Sequence, residues 1–547
     1  MRIMRRWALL ALCIGLSFAG TGVAQGRDGQ VTVLTLTRLS SQLLPIVERL
    51  NRETVSMGGL VHAASLIHHI RADEPDAVLI VGGESVLGPQ WRYFKGEPEF
   101  KALSKLDVSA GIIGKHELDY GWEHLEAALP WIGFPLVLSN VDVHGVASPF
   151  RKNVVIPCGE MKLGVFGLFS PVIFATQQKP VEEIALDGDL HGVARAMVED
   201  LRAQSADVIL MISGLTAEEN EALARDVAGI HAIFGRGVEA KEPLAPHFVE
   251  GPDRWLTALV WGGERGRIVG RLDLATRGGR IYEATVSWRP LPVSPSVGRA
   301  DDAVSAIAAD YAARLNEQLG RPIGWFERPV NARRNAVRTR ETPLGSFAAD
   351  AMRAIGGADV GLVNGGAIRG DKLYPEGEFS ERTLIENFPY GNEVDVVTLT
   401  GRALREVMEL SASALRGDDD GYEASARVPD GGFLQVSGLR VVYDISQPPT
   451  TFKADGTVAH WGSRLVELSV MGSDGTWGPV DDDAEYSVAL SAYLADGGDR
   501  YFPLRDADAR SRKKTGRTDA EALLAYIQEF PDGRLSLETE GRIVIRR

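Results

Sequence analysis

At 547 residues, 44% hydrophobic and 24% charged, the chain has ordinary globular composition and enough length for two or three domains. A net charge of −15 excludes nonspecific binding to nucleic-acid polymers or anionic membranes through overall charge, but it leaves room for a local basic pocket that takes a small anion.

Arg2, Arg5 and Arg6 precede an apolar run that ends in the small residues Gly22, Val23 and Ala24. This pattern reads as a secretory signal peptide over 1–24, with a mature chain from about Gln25 in the periplasm or outside the cell. Leu12, ahead of Cys13, is too large for a good lipoprotein cleavage site. Cys158 is then the sole mature cysteine, which rules out an internal disulfide and points to a buried structural thiol. Beyond the leader no uninterrupted apolar run reaches the roughly 18 residues of a membrane span.

From about 30 to 290, short apolar runs bounded by turns (VTVLTLT, DAVLIVGG, PLVLSNV, LGVFGLFS, DVILMIS, HAIFG) alternate with helical patterns, predicting an α/β domain with buried strands. Leu60, Ala63, Ala64, Ile67 and Ile70 fall on one face of a helix, with His62, His68 and His69 as surface or packing residues. Pro-rich RPLPVSPSVG at 289–298 and the helical DDAVSAIAADYAARLNEQL then predict a linker with a bridging helix over 291–322. A second, mixed α/β domain runs from 323 to 547, with LGSFAADAMRAIG as helix and FLQVSGLRVVYD and AEYSVALSAYL as strands. Polar RGDDDGYEASARVPDGG at 416–432 is expected to be a mobile loop.

The motifs GKHELDYG, DVILMISGL and ERGRIVGRLDL, followed in the second half by NGGAIR and GGD, occur in order at sensible spacing. On these residues the chain resembles the bacterial periplasmic 5′-nucleotidase and 2′,3′-cyclic phosphodiesterase family over nearly its whole mature length. QLLP at 42–45 is also similar to a stretch of the periplasmic thiosulfohydrolases, whose second domains lack NGGAIR. The nucleotidase resemblance implies a calcineurin-like metallophosphoesterase domain over 29–290, a four-layer α/β/β/α sandwich. A helix joins it to the nucleotidase-type substrate domain.

The same resemblance implies two divalent metals, which supply an electrophile and a hydroxide for phosphoester hydrolysis. At the positions that would hold them this chain has Arg38, Ser40, Glu84, Lys115, Gly214, Gly237 and Glu239. A guanidinium or ammonium opposes a dication, and glycine has no side chain to offer. The expectation is therefore that no metal cofactor is needed and that Arg38 and Lys115 neutralise Glu84 and Glu239. The alternative is that Lys115 points into water. His116 and Asp119 keep the family's proton-handling dyad in vestigial form, and a hydrogen bond within the turn accounts for them equally well.

In the second half, the resemblance places Arg334, Arg338 and Arg369 at substrate-binding positions, with Asn364 and Gly366 in the same loop motif; three guanidiniums suit an anionic ligand. Tyr390 in FPYGN and Tyr493 in AYLADGGD match the family's base-stacking aromatics, and Asp499 is placed to accept a ribose or base hydrogen bond. Solvated helix-face arginines and core tyrosines are the structural alternatives. The resulting expectation is a pseudoenzyme that binds a nucleotide, nucleoside or related small anionic ligand, with no nucleic-acid polymer, no membrane span and no protein partner that can be named. An active phosphohydrolase with atypical metal ligation and a non-catalytic scaffold remain as alternatives.

Overall fold

The computed structural model describes residues 27–546 apart from 51–52, 146, 176–180, 236–244, 417–429, 454–457 and 507–510. The leader at 1–24, Gly237, Glu239 and most of the 416–432 segment therefore lie outside the described residues.

The fold is mixed α/β, as expected. In the N-terminal half a seven-stranded sheet carries Gly29–Leu36, Val78–Val81, Ala110–Gly111 and Leu136–Val137 as parallel neighbours, with antiparallel Ile268–Thr276 and Val286–Pro292 completing one edge. A six-stranded sheet has Met161–Phe169, Val208–Gly214, Ala232–Gly235 and Leu256–Trp261 running parallel at its centre. The apolar runs read from the sequence supply these strands, which are buried because both faces are covered. The two sheets meet in one core. At Gly167 a Cβ would come within 2.1 Å of the Val137 carbonyl oxygen, so only glycine permits that close approach.

Helix Leu60–Asp73 buries the predicted face, and also His62, while His68 and His69 are exposed. Cys158 is buried with its thiol donating to the Asp76 carbonyl at 3.2 Å, the structural role expected of it.

The bridging helix, Asp302–Leu319, starts where the Asp301 carboxylate accepts from the Val304 N–H at 2.8 Å. It buries Val304, Ala308, Tyr311, Leu315 and Leu319, a stripe at spacings of three and four. Tyr311, Leu315 and Leu319 share an apolar cluster with Phe94 of the N-terminal half and Ile385 of the C-terminal half. The helix thus packs on both halves.

The C-terminal half is built on a five-stranded mixed sheet with Val360–Asn364, Glu485–Ser491 and Glu393–Thr400 at its centre, and on a four-stranded sheet around Leu439–Asp444. Helices Pro343–Gly356 and Gly401–Ser413 contribute buried faces to its cores. Among the described residues no helix is long and apolar enough to cross a membrane.

Candidate functional site

In the N-terminal half the loops that follow the parallel strands gather at one edge, the place where open α/β sheets present ligands. Gly29–Leu36 leads into Arg38, Val78–Val81 into Glu84, and Ala110–Gly111 into Lys115, His116 and Asp119. Arg38, Ser40 and Glu84 all take positive φ, of 47°, 50° and 53°. The backbone holds these strained turns by hydrogen bonds from the Arg38 N–H to the Gly83 carbonyl and from the Ser40 N–H to the Glu84 carbonyl, both 3.0 Å.

Glu117 ties the loops together. Its buried carboxylate accepts from the N–H groups of Ser85 at 2.7 Å, Gly114 at 2.8 Å and Glu84 at 3.2 Å. Burial pushes its pKa up to about 7 against the pull of those donors. Gly114, the residue before Lys115, is thereby held beside Glu84, and a Cβ there would lie 2.5 Å from the Glu84 Cγ. The sequence reading missed Glu117, although it sits inside GKHELDYG.

Arg38 Nε stands 3.0 Å from Glu84 Oε2 with both side chains nearly out of solvent, and Arg38 Nη1 is 3.7 Å from Glu264. The cation that closes on Glu84 is therefore Arg38. Lys115 is half-buried; burial lowers its pKa, opposed by the nearby carboxylates of Asp119, Asp499 and Glu84, with Arg369 adding to the lowering. It is not a water-facing lysine. His116 Nδ1 and Asp119 Oδ2 are 2.8 Å apart and buried, so the dyad is assembled. Gly214 ends its strand without a side chain to offer, and the placement of Glu239 lies outside the described residues.

The C-terminal half brings its expected residues near the same loops, where Asp499 and Arg369 act on Lys115. Val360–Asn364 ends in Asn364, whose side-chain amide donates to Asp499 Oδ2 at 2.9 Å. The Tyr493 hydroxyl donates to Asp499 Oδ1 at 3.1 Å and accepts from the Asp499 N–H at 3.2 Å. The Tyr493 ring lies so close over Gly498 that a Cβ there would be 2.5 Å from ring carbons, which is why this position in the GGD turn must be glycine. Arg338 is buried with Nη1 3.0 Å from Asp430 Oδ1, a partner the sequence reading left inside its mobile loop. Gly366 packs directly on Gly431, with a Cβ there meeting the Gly431 carbonyl at 3.1 Å.

The arginines converge. Burial and then the neighbouring Arg338, Arg369 and Arg38 pull the Arg334 guanidinium down to about 8. Burial also lowers Arg338, with Arg369 adding to it. The Arg369 guanidinium sits 5.3 Å from the centre of the Tyr390 ring, so one partner of that ring is a cation. The Tyr390 hydroxyl is buried without a hydrogen-bond partner among the described residues, and burial pushes its pKa up to about 12. Neither Tyr390 nor Tyr493 contacts another aromatic ring among the described residues. The halves are held together at this point: the Tyr120 hydroxyl donates to the Pro389 carbonyl, and Arg265 pairs with Asp371 at 3.4 Å.

The family model for the 5′-nucleotidase C-terminal domain matches residues 322–505. The chain is 25% identical over 533 residues to the snake venom 5′-nucleotidase of Naja atra, covering 89% of this chain and 93% of that one. It is 23% identical over 609 residues to a probable 5′-nucleotidase of Treponema pallidum, covering 98% of each. The crystal structure of a 5′-nucleotidase precursor from Thermus thermophilus superposes with a TM-score of 0.79 at 26% identity, covering 95% of this chain and all of that one.

These relationships correct one expectation. The sequence reading called for no cofactor, but members of the family are metal-dependent 5′-nucleotidases and a metal is the family norm. The donors that can be described do not match the family's two-metal arrangement: no three His, Cys, Asp or Glu side chains come together among the described residues, and Arg38 already closes on Glu84. The C-terminal half thus carries a 5′-nucleotidase C-terminal domain, and the chain as a whole is similar in sequence and fold to 5′-nucleotidases, with a calcineurin-like N-terminal half.

Proposed function

We propose that this protein is an exported 5′-nucleotidase-family member that binds a nucleotide, or a similar anionic aromatic ligand, through its C-terminal half and hydrolyses it weakly or not at all. In this reading, the leader at 1–24 directs it to the periplasm or the medium. Residues 29–290 form the metallophosphoesterase-like domain, 291–322 the linker and bridging helix, and 323–547 the ligand-binding domain.

The observation that carries the reading is the convergence of Arg334, Arg338 and Arg369, where burial first and the neighbouring guanidiniums after it pull the Arg334 pKa down to about 8. Guanidiniums are held together against their repulsion where an anion closes the charge. Tyr390 and Tyr493 beside them support an aromatic ligand, and Asp499, set by Asn364 and Tyr493, supports a sugar or base contact. The relatives' names, 5′-nucleotidase in each case, favour a nucleotide. The ion pair of Arg38 with Glu84, at the edge where an attacking hydroxide would have to be generated, supports weak hydrolysis.

The intact His116–Asp119 pair favours a second reading, a working phosphohydrolase. Calorimetry with AMP and adenosine, run beside a phosphate-release assay in manganese, separates the two. Saturable AMP binding with little phosphate released supports the first reading, turnover of about 1 s⁻¹ or more establishes the second, and no binding of either probe overturns both.

A further inference from the structure

The two tyrosines of the candidate site differ in what their hydroxyls do. A phenol has one proton to donate and lone pairs that accept. The Tyr493 hydroxyl uses both, donating to Asp499 Oδ1 at 3.1 Å and accepting from the Asp499 N–H at 3.2 Å. The Tyr390 hydroxyl is shut off from solvent and has no hydrogen-bond partner among the described residues. Arg369 Nε is in the same state, buried and without a hydrogen-bond partner among the described residues. The guanidinium that carries it sits 5.3 Å from the centre of the Tyr390 ring. Buried polar atoms in folded proteins are paired in the great majority, so two orphaned donors on neighbouring side chains call for an acceptor from outside the chain.

The loops that bear the two donors are tied down close by. The Arg369 N–H donates to the Asn387 carbonyl at 2.8 Å, which joins one loop to the other. Phe388 is buried in the core, the Pro389 carbonyl accepts from the Tyr120 hydroxyl of the N-terminal half, and the Asn392 carbonyl accepts from the Asp519 N–H at 2.8 Å. Tyr390 is therefore presented by a stretch of backbone held on both sides of it. Burial pushes its pKa up to about 12, so at neutral pH the hydroxyl keeps its proton and is a donor.

We infer that the Tyr390 hydroxyl is a ligand-binding donor which, together with Arg369 Nε–H, takes a phosphate oxygen of a nucleoside phosphate. The chemistry of the acceptor follows from the pair. One donor belongs to a guanidinium, always charged, and a phenol beside it adds a second bond to an anionic oxygen. A phenolic O–H lies in the plane of its ring, so its acceptor lies beyond the ring edge and not over the face where a base stacks. The hydroxyl thus addresses a part of the ligand other than the base. The inference rests on the nucleotide reading above and adds to it a residue that selects a nucleoside phosphate over a nucleoside.

The test is calorimetry on the full mature chain with AMP and adenosine as probes, in EDTA and again in manganese, beside thermal melting of the unliganded protein. Tyr390→Phe should weaken AMP by about tenfold or more in both conditions, the scale of one charge-assisted hydrogen bond, and leave adenosine within about twofold. Because the hydroxyl has no hydrogen-bond partner in the fold, the same variant should melt at or above the wild-type temperature. A merely structural tyrosine gives the opposite pattern, a lower melting temperature and no selective loss of AMP. Unchanged AMP affinity in Tyr390→Phe, an equal loss for AMP and adenosine, or a lower melting temperature would each overturn the inference while leaving nucleotide binding intact. Wild-type protein that binds neither probe would overturn the nucleotide reading itself, and this inference with it.

Discussion

Arg38 Nε lies 3.0 Å from Glu84 Oε2, with side-chain exposures of 10% and 2%. Two loops that follow neighbouring parallel strands are thereby closed by a fixed ion pair. A buried pair of this kind adds little over a well-packed apolar pair, but removing one partner strands the other.

Arg38→Met should therefore destabilise the protein by about 3–5 kcal/mol, read as a lower denaturant midpoint. The double variant Arg38→Met with Glu84→Leu should recover much of that loss. Lys115→Ala, at a half-buried position, should cost less than Arg38→Met. An Arg38→Met midpoint equal to the wild type would show that Glu84 does not depend on its guanidinium.

Tyr493 holds Asp499. Tyr493→Ala should weaken adenosine and AMP alike, by about 1–3 kcal/mol on the scale of base stacking. Tyr493→Phe, which keeps the ring and loses the bond to Asp499, should lose less. If Phe and Ala variants bind equally badly, the hydroxyl and not the ring is what the ligand needs.

The Arg369 guanidinium lies over the Tyr390 ring. Arg369→Gln should reduce AMP affinity much more than adenosine affinity, and raising the salt should reproduce part of that loss in the wild type. Equal effects on both ligands would instead place the guanidinium on the nucleoside.

Stability should depend on pH through Glu99, which is fully buried and whose pKa burial raises from 4.5 to about 7. The folded state then binds a proton that the unfolded state has released between those values, so stability falls as pH rises from about 4.5 to about 7 and levels off above. One such carboxyl contributes on the order of 3 kcal/mol. Glu99→Gln should flatten that slope and make the protein more stable than the wild type at pH 8. A slope unchanged in Glu99→Gln would assign it to other groups, of which Glu117 and Asp519 are shifted the same way.

Much of the frame was legible in the chain because it is local. The face of Leu60–Asp73 follows from spacing, the buried strands follow from apolar runs, and the bridging helix follows from a cap and a stripe. The candidate site was legible as a set of motif positions, and the structure makes Arg334, Arg338, Arg369, Tyr390, Tyr493, Asn364 and Asp499 neighbours of one another. The pairings were not legible. Arg38 meets Glu84 across 46 residues, Arg338 meets Asp430 across 92, and Tyr120 reaches Pro389 across 269, separations at which no periodicity links the partners. Glu117 was hidden because a carboxylate that binds only backbone N–H groups has no partner residue to announce it.

The central claim is that the ligand binds and stays intact. Its most direct measurement mixes a small amount of labelled AMP with an excess of the mature protein in manganese, then follows retained AMP and released phosphate in the same sample. The account predicts that AMP is retained by the protein and recovered whole, with phosphate appearing far more slowly than about 1 s⁻¹. Release of phosphate in proportion to bound AMP at about 1 s⁻¹ or faster, or no retention of AMP at all, would contradict it.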